Sequence, residues 1–228
     1  MPETWGAWCL WWLNVHHILL FVASAVAVAG FTRIAPRLGL MAWPNHRTAH
    51  QTAVPQGAGF AFFGVWLPSL WMQDSGIAFV LGPSALLLML VGILDDCRHV
   101  AVWKRLLCHL IAALWCLYAA FVSHWVPQPE ALYGCGVCLL LVASMNVWNF
   151  MDGADGFAGL GACCVLGIPG TLCALQGTPQ GWQQAWICAG CVSVLAGFLV
   201  WNWPKALVFM GDSGSVTLGF LLMAFSVT

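Results

Sequence analysis

Apolar runs long enough to cross a bilayer dominate this chain, and its polar residues are confined to short breaks between them. With 61% apolar and 7% charged residues, the composition lies far from that of a soluble domain. Runs of roughly 17 to 25 apolar residues read as transmembrane helices. About eight occur, over residues 11–31, 57–72, 76–94, 106–126, 131–150, 159–176, 183–201 and from 216 to the end. The expected fold is therefore an all-α polytopic membrane helix bundle, with residues 1–228 forming one integral-membrane domain and no separate soluble unit.

The first run invites comparison with a secretory signal peptide, which begins with positive charge. Residues 1–20 carry Glu3 and neither Lys nor Arg, and Trp5, Trp8, Trp11 and Trp12 suit interfacial anchors. The segment reads as a retained first helix.

Lys and Arg favour short cytoplasmic loops. Arg33, Arg37 and Arg47 follow the first run, Arg98, Lys104 and Arg105 the third, and Lys205 the seventh. All seven basic residues thus fall on one side, which places the amino terminus outside the cytoplasm. Five of the eight acidic residues, Asp95, Asp96, Asp152, Asp155 and Asp212, follow runs three, five and seven and emerge on that same cytoplasmic face. Carboxylates beside a bilayer are costly and mark function more often than decoration.

The first cluster, Asp95-Asp96, ends a helix and points two adjacent side chains about 100° apart, so the two carboxylates are expected to do different jobs. In the second, Asn146, Asn149, Asp152 and Asp155 recur every third residue, which keeps them on one side if the turn stays helical. Gly153 and Gly156 allow close backbone approach or positive φ. Oxygen donors of this kind suit Mg²⁺ or Mn²⁺ bound through a few carboxylates and substrate phosphates. The third, Gly211-Asp212-Ser213-Gly214-Ser215, precedes an apolar run, and its small residues with a following helix amino terminus make a phosphate cradle.

Competing readings are weaker. An EF-hand needs alternating acids and a terminal Glu that are missing, and a serine hydrolase at Gly-Asp-Ser-Gly lacks an evident His partner. A transporter would place acids near mid-membrane on repeated, broken helices, whereas these sit at run ends. The eleven cysteines lie mostly in or beside apolar runs and read as small hydrophobes, Cys135 and Cys138 included.

Taken in order, the clusters resemble the polyprenyl-phosphate N-acetylhexosamine-1-phosphate transferase superfamily. Leu94-Asp95-Asp96 is similar to its Asp-Asp motif, residues 146–159 to its Asn-x-x-Asn-Phe-x-Asp-Gly-x-Asp-Gly-x-Ala-Gly signature, and residues 208–219 to its Phe-x-Gly-Asp-x-Gly-Ser-x-x-x-Gly segment. Residues 44–59 resemble its first cytoplasmic loop, except that Val54-Pro55-Gln56-Gly57-Ala58-Gly59 stands where Thr-Pro-Arg-Gly-Gly-Gly is usual, removing a phosphate-facing base. Phe150 and Met151 resemble the branch that starts O-antigen and other envelope glycans; the phospho-N-acetylmuramoyl-pentapeptide branch is the alternative. The family continues through further helices and a His-rich cytoplasmic loop, so a carboxy-terminal truncation at Thr228, with reduced or lost activity, is expected.

What the resemblance implies is transfer of an N-acetylhexosamine-1-phosphate from a UDP-sugar to polyprenyl (undecaprenyl) phosphate at a bacterial inner membrane, releasing UMP. Asp95, Asp96 and Asp212 would be catalytic, Asp95 facing the lipid phosphate, and Mg²⁺ (or Mn²⁺) would sit on Asp212 with Asp96 or Asp152. Asn146, Asn149, Asp152, Asp155 and Asn202 would contact nucleotide or sugar, and Arg47, His50, Lys104 and Lys205 would neutralise phosphates. Membrane lipid is a further partner, homodimerisation stays open, and nucleic acid is not expected.

Overall fold

The structure, a computed structural model, describes residues 3–44, 51–73, 75–124 and 131–227. Among them are eight α-helices: α1 (Glu3–Ile34), α2 (Gly59–Gln73), α3 (Ser75–Cys97), α4 (Val102–Val122), α5 (Ala131–Met151), α6 (Phe157–Leu175), α7 (Pro179–Asn202) and α8 (Gly211–Val227). The two short strands β1 (Met41–Ala42) and β2 (Val54–Pro55) pair antiparallel below α1.

Among the described residues, six helices are long and apolar enough to cross a membrane. The 15 residues of α2 reach about 22 Å, short of a hydrocarbon core of roughly 30 Å. Each expected run holds one of the eight helices, and of these α8 lies in the interior of the bundle.

α8 is the centre of that interior, with every residue from Ser213 to Leu222 buried. Its first half, Gly-Asp-Ser-Gly-Ser-Val-Thr-Leu-Gly, explains why other helices can close on it, since small residues let backbones approach where lipid supplies no hydrophobic drive. A Cβ added at Gly59 of α2 would strike the Gly214 backbone, one at Gly92 of α3 the Ser213 backbone, and one at Gly219 would come 2.6 Å from the Ser144 carbonyl of α5. The hydroxyls of this stretch are satisfied locally, Ser215 donating to the Gly211 carbonyl at 3.0 Å and Thr217 to that of Ser213 at 2.9 Å. Side-chain bonds between helices add to the packing: Ser144 donates to the Gly219 carbonyl at 2.8 Å, and Ser84 of α3 to that of Ala112 in α4 at 2.8 Å.

The wall is closed by α1 on α7, where Ser24 donates to the Val194 carbonyl at 2.6 Å and the Trp201 indole to that of Ala25 at 2.9 Å. Phe62, Phe63, Trp66 and Phe198 fill the space between α2 and α7.

One end of the bundle gathers the functional segments. α3, α5 and α7 end there, and α4, α6 and α8 begin there. Residues 55–59 run beside residues 209–210, with Phe209 N donating to the Pro55 carbonyl at 2.8 Å and Gly59 N to that of Met210 at 2.9 Å, so the start of α2 is stitched to the start of α8.

Candidate active site

Asp95 and Asp96 leave the last turn of α3 in different directions, as their adjacency requires. Asp95 turns to the α3–α4 connection: Oδ1 accepts the Val100 amide at 2.6 Å and Oδ2 accepts Arg105 Nη1 at 2.7 Å. The same Nη1 donates to Asp212 Oδ2 at 2.9 Å. One guanidinium nitrogen therefore ties α3 to α8, and these are the ion pairs present among the described residues.

Asp96 turns inward instead. Its Oδ1 accepts the Asp212 amide at 3.0 Å and its Oδ2 the Ser213 amide at 3.3 Å. The phosphate cradle expected at residues 211–215 is thus filled by a side chain of the protein. Helix α8 starts at Gly211 itself, earlier than the apolar run suggests, and its first free amides already hold a carboxylate.

Burial above all, and then Asp95, lift the Asp212 carboxyl to about 6, while the nearby Asn149 carboxamide of α5 acts to lower it. Asp152, just beyond the end of α5, sits close enough to Asp96 and Asp212 for like-charge repulsion. Burial first, then those two neighbours, push the Asp152 carboxyl well above the usual carboxylate range. Asp95, Asp96, Asn149, Asp152 and Asp212 thus converge from α3, α5 and α8, as expected from the sequence.

Other expected site residues stand elsewhere. Asn146 is exposed, with Nδ2 donating to the Val142 carbonyl of its own helix at 2.7 Å. α5 stops at Met151 and Gly156 adopts φ 71°, so the three-residue spacing ceases to keep one face. Asp155 consequently leaves the carboxylate group and accepts the Ala206 amide at 2.9 Å. Asn202 is buried: Oδ1 accepts the Gly156 amide at 2.9 Å and Nδ2 donates to the Val208 carbonyl at 2.8 Å, leaving little of it for a nucleotide or sugar. Lys104 is exposed, with Nζ 5.5 Å from the Trp103 ring centroid, and Lys205 is exposed on the α7–α8 loop pinned by Asp155 and Asn202. Arg47 and His50 lie outside the described residues. Gln56, which replaces the usual base of the first loop, donates to the Asp96 carbonyl at 3.2 Å.

The residue that sequence reasoning passes over is Arg105. It is visible as the third base after the Asp pair, but choosing Lys104 as the phosphate partner misses it by one position, about 100° around α4.

Among the described residues no three His, Cys, Asp or Glu side chains form a ready metal cage. The donor chemistry still fits a hard divalent cation. Asp152 faces Asp96 and Asp212 in a crowded negative site, and Mg²⁺ is commonly held by one or two carboxylates with substrate phosphates completing its shell.

Comparison with known proteins places the chain in a family. The sequence profile of glycosyl transferase family 4 matches residues 78–228, and the chain belongs to that family. The decaprenyl-phosphate N-acetylglucosaminephosphotransferase of Mycobacterium tuberculosis is 31% identical, aligning with 86% of this chain and 55% of its own length. An undecaprenyl-phosphate alpha-N-acetylglucosaminyl 1-phosphate transferase of Yersinia pestis is 30% identical, over 91% of this chain and 60% of its own. A phospho-N-acetylmuramoyl-pentapeptide-transferase of Kosmotoga olearia is 26% identical, over 90% of this chain and 70% of its own. The chain thus spans just over half the length of the mycobacterial relative. Family and apolar helices together make it a multi-pass membrane protein.

Proposed function

We propose that this protein transfers an N-acetylhexosamine-1-phosphate from a UDP-sugar to a polyprenyl phosphate, the first membrane step in building an envelope glycan. The observation that carries the reading is the convergence of Asp95, Asp96, Asp152 and Asp212 with Arg105 at one end of a membrane bundle in a family of such transferases. An oxygen of the lipid phosphate attacks the sugar-linked phosphorus, the bond from that phosphorus to the bridging oxygen breaks, and UMP leaves with the electron pair. The phosphate monoester, with a second pKa near 6, is largely ionised at neutral pH, so a strong base is unnecessary. Phosphoryl transfer needs positioning and charge neutralisation above all.

Each carboxylate has its part in that positioning. Asp152 and Asp212 would hold Mg²⁺, which when bound supplies charge neutralisation on the diphosphate. Asp96 orients the start of α8 and so aims Asp212, and Asp95 holds the α3–α4 turn and Arg105. Asn149, near Asp212 on α5, favours its ionised form. Arg105 and the exposed Lys104 and Lys205 supply the positive rim for phosphates.

The positive-inside bias supports a cytoplasmic site and an external amino terminus, and reporters inserted at Arg98 and Ala154 should then read cytoplasm while one at Thr178 reads the opposite side. For catalysis, Asp212→Asn in the full-length protein should lower UMP release from UDP-N-acetylglucosamine and undecaprenyl phosphate by about 10²-fold or more. Near-normal turnover would remove Asp212 from the site. Release of UMP only with the muramoyl-pentapeptide donor would move the protein to that branch of the family.

A further inference from the structure

Arg105 is placed where a purely structural residue has little reason to be. It starts in the first turn of α4, yet its Nη1 lies between carboxylates of α3 and α8, 2.7 Å from Asp95 and 2.9 Å from Asp212. Four carboxylates crowd this end of the bundle, and among the described residues Arg105 is the cation bonded to them. The two bonds tie the guanidinium to both carboxylates in the cation-free site.

We propose that Arg105 is the internal counter-ion of this site: it competes with the divalent cation for Asp212 and is released by that cation onto a substrate phosphate. The inference rests on the transferase reading above. A divalent cation on Asp212 brings two positive charges beside the guanidinium and repels it. Release is sterically open, because the Arg105 side chain keeps 29% of its surface exposed and its neighbours Val102, Trp103 and Lys104 are exposed too. Once free, the planar guanidinium fork matches a phosphate in two-point geometry that Lys104 cannot reproduce. Asp95 remains anchored throughout by the Val100 amide, so the α3–α4 turn does not have to move.

The exchange gives the site an order of events. Without cation, Arg105 quenches the repulsion between Asp95 and Asp212 and holds α3 against α8. With cation, the same guanidinium is set free for the diphosphate, so phosphate binding is strengthened only after the cation has arrived.

The test is Mn²⁺ binding, followed by electron paramagnetic resonance on the detergent-purified full-length protein without substrate. Arg105→Gln should bind Mn²⁺ about tenfold more tightly than the unmodified protein, because the competing charge has gone, and Arg105→Lys should fall between them. Equal or weaker binding by Arg105→Gln overturns the proposal and makes Arg105 a strut. Asp212→Asn is the control: if it binds Mn²⁺ as the unmodified protein does, the cation assignment under the transferase reading fails as well, whereas loss of binding in Asp212→Asn with no gain in Arg105→Gln overturns the Arg105 inference alone. Should Arg105→Gln not fold, phenylglyoxal labelling of the unmodified protein decides. Saturating Mn²⁺ should raise labelling of Arg105 relative to the exposed Arg98, and an unchanged ratio overturns the proposal.

Discussion

Asp96 caps the helix that carries Asp212, with its Oδ1 3.0 Å from the Asp212 amide and its Oδ2 3.3 Å from that of Ser213. The approach depends on Gly211, which has φ 68° and at which a Cβ would stand 2.5 Å from Asp96 Oδ2. The free amides and the helix dipole favour a carboxylate at a helix amino terminus, but burial outweighs them here and lifts the Asp96 carboxyl to about 7. The second Asp of the pair therefore acts through Asp212, whose direction it sets.

Asp96→Ala leaves two amides of α8 without their acceptor and should destabilise the protein by about 1–2 kcal/mol. Asp96→Asn keeps one acceptor oxygen and should lose less. Thermal melting in detergent checks the order; if Asp96→Ala melts with the unmodified protein, the cap does not hold α8.

Gly92 sets how closely α3 meets α8, because a Cβ there would run into the Ser213 backbone. Gly92→Ala should push the helices apart and cost about 1–3 kcal/mol of overpacking, carrying Asp96 away from the Asp212 amide and lowering activity with stability. At Gly64 on α2 an added Cβ would meet nothing within 4 Å, so Gly64→Ala should be neutral or stabilising by up to about 1 kcal/mol, Ala being the better helix former. A pair of melts that failed to separate these two glycines would count against close packing at Gly92.

How far the site is legible in the sequence follows the physics of each segment. Helical spans are plain because apolar runs of that length have few other fates in lipid. Convergence of Asp95, Asp152 and Asp212 is plain too, since alternating helices return every second connection to one side. Asn202 and Asp155 defeat a reading from sequence because a polar residue beside a motif looks the same whether it faces a ligand or a neighbouring loop. Only the position of Gly156 and the path of residues 203–210 show that both side chains bind backbone. Asp96 resembles a metal ligand in sequence for a similar reason: where α8 begins cannot be told from hydropathy, since Gly211 to Ser215 are helical without being apolar.

Asp152, together with Asp96 and Asp212, whose buried carboxyls are lifted to about 7 and about 6, makes the cation-free protein sensitive to pH. The Asp152 carboxyl is raised in the folded state by burial and by Asp96 and Asp212, so between the ordinary carboxylate value of about 4 and the folded value the native state binds more protons than the unfolded one. Stability in chelator should then fall as pH rises through that window, with higher melting near about pH 5 than near about pH 8. Asp152→Asn should lessen this dependence and raise the melting temperature at neutral pH. A pH profile identical in the two proteins would show that Asp152 is not held in a repulsive site.

Asn202 separates a brace from a substrate contact. Its carboxamide is 3% exposed and bridges two loops, accepting from Gly156 N at 2.9 Å and donating to the Val208 carbonyl at 2.8 Å. Asn202→Ala strands a buried amide and a buried carbonyl, which should cost about 1–3 kcal/mol. Asn202→Asp keeps an acceptor for Gly156 but sets a second acceptor against the Val208 carbonyl and buries charge, so it should be no better tolerated. Folded yield and melting temperature should drop in both variants, while under the transferase reading proposed above the KM of the surviving full-length protein for its proposed UDP-sugar stays near its original value. A residue that contacts nucleotide or sugar would behave in the opposite way, with melting preserved and KM raised, and that result would return Asn202 to the binding surface.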